Sequence, residues 1–127
     1  MKVANKLCMI AAFSLIAAAP AMAECTYPKK PSDPPKGAEA AKRGDEGLKE
    51  MIAAQKATKQ FDADVKTYQS CLSTETESMI SALGDKASAE DIKRVKDKQD
   101  LKFNSAYEDA QKYAEAFNVQ LRAYKAK

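Results

Sequence analysis

The chain has 127 residues, with 21 Lys and Arg against 18 Asp and Glu, three Cys, and neither His nor Trp. That is one small domain at most, and the missing histidine excludes an imidazole metal site, a Ser-His-Asp or Cys-His nucleophile and an imidazole pH switch. Four scattered glycines leave no phosphate-cradling loop, and 31% charged with 7% aromatic residues suits long solvated helices rather than a thick globular core.

Residues 1–23 read as a secretory signal: Lys2 and Lys6 open it, residues 7–19 form an apolar stretch interrupted by Ser14 alone, and Pro20 precedes the small-x-small site Ala21-Met22-Ala23. The apolar stretch is shorter than the roughly 20 residues that span a bilayer, so no stable membrane insertion is expected once the signal is removed. Cleavage takes two lysines and no acid, and net charge falls from +3 to +1. A chain so close to neutral has no long-range attraction for nucleic acid or anionic lipid. Cys8 leaves with the signal. Cys25 and Cys71 remain, and in an exported chain two thiols most simply form one disulfide. Closing that loop stabilises the fold by roughly 4 kcal/mol in the chain-entropy picture.

The mature chain opens with residues 24–36 (ECTYPKKPSDPPK), which hold Pro28, Pro31, Pro34 and Pro35. Proline lacks the amide donor and restricts its predecessor, so an extended arm is expected, taken here to run over residues 24–44. Gly37, Gly44 and Gly47 weaken the helical tendency of the alanines and lysines between them. Helical spacing begins at Asp45. Met51, Thr58, Val65, Leu72 and Met79 recur every seven residues, as do Ala54, Phe61, Tyr68, Glu75 and Ala82, and together they trace one apolar stripe. Gly84 ends this helix as a left-handed C-cap. Ser88 with Asp91 forms a loose capping box for a second helix over residues 88–126. Its stripe joins Ile92, Gln99, Ala106, Tyr113 and Gln120 to Lys96, Phe103, Ala110, Phe117 and Tyr124.

Two helices of equal length joined by a tight loop predict an all-α, coiled-coil-like antiparallel hairpin over residues 45–127. Pairing about the loop sets Phe61 near Ala110, Ala54 near Phe117 and Tyr68 near Phe103. The arm can reach about 62 Å, enough to fold back and be stapled at Cys71, with Tyr27 covering apolar surface beside the bridge. The acidic first helix should face the basic run of the second (Lys93, Arg94, Lys96, Lys98, Lys102) and hold it weakly.

No motif carries catalysis. Asp62 with Asp64, and Glu75 with Glu77, are two residues apart and point to different sides of a helix, which suits neither acid–base work nor calcium. No enzyme, cofactor or metal site is expected. Val95, Tyr107, Ala114 and Leu121 widen the second stripe beyond what one partner helix covers. This surface leads to a non-enzymatic interaction or scaffold protein, self-associating as a four-helix bundle or holding another protein. The alternatives are a small chaperone-like envelope-stress binder gripping unfolded clients through Met51, Met79 and exposed aromatics, or a proteinaceous inhibitor or cell-wall binder.

Cys25-x-x-Pro28 behind the signal, Tyr68-x-x-Cys71, Ala116-Phe117-Asn118 and Ala123-Tyr124-Lys125 together resemble small exported helical proteins of Gram-negative bacteria. The resemblance implies a periplasmic or secreted address and a helical shape, and supplies no activity and no binding residues.

Overall fold

The computed structural model describes residues 24–126. The expected signal, with Cys8, lies outside the described residues, as does Lys127. Irregular backbone over residues 24–36 leads into a short helix α1 (Gly37–Ala40), a 3-10 turn (Ala41–Arg43), and two long helices, α2 (Asp45–Leu83) and α3 (Ala89–Lys125). Among the described residues there is no strand.

The helix ends follow their local chemistry. Gly84 closes α2 at φ 75°, where any other residue is strained, although its ψ of −176° lies outside the left-handed helical region expected. Ser88 opens α3: its hydroxyl accepts from the Asp91 amide at 3.1 Å while the Asp91 carboxylate accepts from the Ser88 amide at 3.4 Å. A reciprocal cap of this kind satisfies two donors that the first helical turn leaves unpaired. The hydroxyl-rich stretch of α2 stays helical because Thr67, Ser73, Thr74 and Thr76 each donate to the carbonyl four residues back.

α2 and α3 pack against each other in opposite directions. Glu75 meets Gln99, Gln69 reaches the carbonyl of Phe103, and Phe61 stacks edge-on to Tyr113 at 5.2 Å, so numbers fall in one helix as they rise in the other. Phe61, Val65, Tyr68 and Leu72 form one buried cluster with Ala106 and Ala110, and Cys25, Tyr27 and Tyr113 pack on it. A second cluster joins Ala40, Met51 and Phe117, flanked by Ala54, Leu121 and Tyr124. Each large buried side chain here contributes about 1.5–3 kcal/mol. The expected pairs Phe61–Ala110 and Ala54–Phe117 share these clusters. Phe103 lies at the rim, 39% exposed, its carbonyl accepting from Gln69 beside Tyr68, while the Tyr68 ring meets that of Tyr27.

Three further expectations are corrected. The irregular arm ends at Lys36 rather than at residue 44, because the Lys36 carbonyl accepts from Glu39 and Ala40 and starts α1 just past the last proline. Two of the glycines read as helix-weakening, Gly37 and Gly47, are sites of close approach, whereas Gly44, at φ 58° with open space around it, does break the helix just before α2. A Cβ on Gly37 would stand 1.8 Å from the Gln120 carbonyl oxygen, and one on Gly47 1.8 Å from that of Ala40. These contacts seat α1 between α2 and α3. Nor does charge hold the long helices together. Among the described residues the ion pairs lie within one helix, next to it in sequence, or between arm and α3.

Candidate functional site

The arm divides the helix pair into a covered side and an open one. Burial along the arm follows a period of three: Cys25, Pro28, Pro31 and Pro34 are half-buried and Gly37 is buried, while Thr26, Lys29 and Ser32 are exposed. A three-residue repeat is the pitch of polyproline backbone, which turns every third side chain to the same side. Cys25 and Cys71 stand at disulfide distance with 5.8 Å between their Cα atoms. At the other end the Gly37 amide donates to Gln120 Oε1 at 2.9 Å.

Between these anchors the arm crosses from α2 to α3 through Tyr27. Its ring sits edge-on to Tyr68 at 5.3 Å, and its hydroxyl donates to Asp109 Oδ2 in a short hydrogen bond. Lys30 pairs with the same carboxylate at 2.9 Å. Burial, then the Asp109 carboxylate, pushes the Tyr27 phenol well above its ordinary value. Hydrogen bonds from Tyr27 and then Lys30 hold the Asp109 carboxyl below the usual carboxylate range. The bond to Asp109 likewise raises the Lys30 ammonium. The cluster is a latch. Its three groups satisfy one another and leave no free acid or base facing solvent.

The open side carries the exposed aromatics. Phe103 and Tyr107 stand one turn apart on α3, and Tyr107 is 55% exposed. Ala114 and Leu121 continue the same side at helical spacing. Of the four residues singled out in the sequence, Tyr107 is exposed while Val95, Ala114 and Leu121 are half-buried, and Leu121 packs on the lower cluster. Beside Phe103 runs a groove of about 430 Å³, with Leu72, Ile80 and Phe103 as its apolar lining and Ser73, Thr76, Lys96, Gln99 and Asp100 as polar lining. Ser73, Thr76 and Ile80 lie on the flank of α2 away from Cys71, so groove and arm occupy opposite sides.

The paired carboxylates do not converge: Asp62 pairs with Lys66 at 2.8 Å, Asp64 accepts from Gln60 at 2.8 Å, and Glu75 accepts from Gln99 at 2.7 Å. Met51 is buried, 3% exposed, and therefore offers no client contact. Among the described residues no helix is long and apolar enough to cross a membrane, and no three metal-ligating side chains gather. Sequence reasoning did not find Asp109 as the partner of Tyr27. The available signal was a tyrosine beside a cysteine staple, which needs an acceptor once covered.

Comparison with family models, curated proteins and solved structures returns no match to this chain. The functional reading therefore rests on the geometry.

Proposed function

We propose that the chain is a non-enzymatic interaction protein of the periplasm, or secreted from it, that associates with a second copy of itself. In this reading residues 45–127 act as an antiparallel, coiled-coil-like hairpin, and the proline arm, fixed by a Cys25–Cys71 bond, stiffens one side so that the other can be presented. The supporting observation is the contrast of the two sides: the arm covers the seam between Tyr68 and Asp109, while Phe103 and Tyr107 stand exposed beside a groove. Exposed aromatics over an apolar floor are the usual anchors of protein contacts.

Sedimentation velocity on the oxidised, processed chain tests this. A mass that rises from monomer to dimer between micromolar and millimolar concentration is expected. A compact monomer throughout, with no dye-accessible apolar surface, removes the reading.

A further inference from the structure

Gln99 is the buried polar side chain of the core, 3% exposed. Its Nε2 donates to Glu75 at 2.7 Å, and its Oε1 has no donor. A buried acceptor left unpaired is unfavourable, and in most proteins something satisfies it. Gln99 lines the open groove together with Phe103. One turn beyond Phe103 is Tyr107, 55% exposed, whose hydroxyl makes no hydrogen bond among the described residues. Phe103 is thus flanked at equal distances, four residues or about 6 Å each way, by a buried acceptor without a donor and by an exposed phenol whose donor faces solvent.

That symmetry has a geometric consequence. A two-fold axis across α3 at Phe103 carries residue 107 of one copy to the level of residue 99 in the other, and does so twice. We infer that a second copy of this chain docks on the open side about such an axis, each copy's Tyr107 covering the other's groove and donating to the partner's Gln99. Phe103 meets its own counterpart at the centre. Contacts in which one residue meets a second, and that second meets the first, are what a two-fold interface requires. Oε1 is sealed in the single chain, so meeting the phenol takes a change of rotamer at Gln99 that turns its whole carboxamide toward the groove. Lys96 stands on the groove with Glu77 and Asp100, so both signs of charge are present, and a net charge of +1 after signal removal leaves no strong overall repulsion between copies.

The inference rests on the self-association proposed above and specifies its site. It is tested by sedimentation of the oxidised chain and of variants at exposed positions, where folding is unaffected. Phe103→Asp should weaken the dimer about a hundredfold or more, as loss of a central anchor does. Tyr107→Phe should weaken it about fivefold, the worth of one hydrogen bond, and should have no effect once Gln99→Leu has removed the acceptor. Leu101→Asp, on the opposite side of α3 and 70% exposed, should change nothing. If Gln99→Leu does not fold, Phe103→Asp and Tyr107→Phe decide. A dimer indifferent to Phe103→Asp or to Tyr107→Phe overturns this site and leaves self-association standing, the surface then lying elsewhere. A chain that is monomeric at every concentration overturns both.

Discussion

Along the stretch where the arm lies, α2 and α3 bury Met51, Phe61, Val65, Tyr68, Leu72, Ala106, Ala110 and Phe117; from residue 73 round the loop to residue 98, no residue is buried. The helices are the same helices in both stretches, and their apolar spacing does not stop at Leu72: Met79, Ile80, Ile92 and Val95 continue it, half-buried. What differs is the third element. Two helices touch along a line and leave both flanks wet. Adding the arm and α1 closes one flank, and there apolar side chains find neighbours on enough sides to be sealed from water, whereas past the arm's end the buried residue is Gln99, tied to Glu75. The bare end relies on local devices instead, namely the Ser88 cap and the ion pairs Lys93–Asp97 and Arg94–Glu90 one turn apart.

Substitutions can break this contrast or sharpen it. The largest effect is expected in the clad stretch: Phe61→Ala should cost about 3–5 kcal/mol in urea unfolding, whereas Ile80→Ala in the bare stretch should cost less than about 1.5 kcal/mol. Equal costs would mean that both stretches are packed alike. Next comes the staple. Reducing the oxidised chain with a dithiol, or making Cys71→Ser, should lower stability by about 2–4 kcal/mol. Hydrogen exchange should then accelerate around residues 61–72 and stay unchanged over residues 89–98.

Gly47→Ala follows, with a sign that discriminates. On an open helix face the change would stabilise by up to about 1 kcal/mol through propensity. With the new methyl 1.8 Å from the Ala40 carbonyl oxygen it should instead destabilise, by about 1–3 kcal/mol in thermal melts.

The smallest effect is that of the latch. Tyr27→Phe should cost about 1 kcal/mol, the worth of one hydrogen bond. Its pH dependence has two limbs. Because Asp109 is held below its ordinary value, its contribution is present above about pH 4 and is lost as pH falls through the folded-state value. Because Tyr27 and Lys30 are raised, their contribution is present below about pH 10 and is lost as pH climbs through theirs. Protection factors of the arm amides, with the intrinsic pH dependence of exchange divided out, should fall at both extremes, and Asp109→Asn should flatten both limbs. A profile identical to wild type in Asp109→Asn would show that the latch does not hold the arm.

Features that depend on local spacing were legible in the residues. The bounds of α2, the Ser88 cap, the meeting of Phe61 with Ala110 and the nearness of Cys25 to Cys71 all follow from period, capping chemistry or parity of thiols. What was not legible depends on which flank of a helix another segment touches. Gly37 and Gly47 look like helix breakers in one dimension, and only the presence of the Gln120 and Ala40 carbonyls shows why a side chain is excluded. Phe103 satisfies the stripe's spacing yet sits at its edge, on the flank that the arm leaves open. The expected charge pairing of α2 with α3 fails for a related reason. Long lysines on an exposed flank reach the acid one turn away more easily than one on a neighbouring helix, as Lys93 does with Asp97 at 2.5 Å.

The arm's attachments to α3 join positions 82 and 83 residues apart in sequence, Tyr27 to Asp109 and Gly37 to Gln120. Contacts of such long range form late. In the exported reading proposed above the arm's residues cross the membrane ahead of both long helices, yet the arm cannot seat until the final turns of α3 have followed. Cys71 reaches the oxidising compartment well before that moment, so the sulfur link to α2 can close there while α3 has yet to arrive and hold the arm in waiting. Truncation after α2 would then trap a stapled but unlatched species, with Tyr27 uncovered.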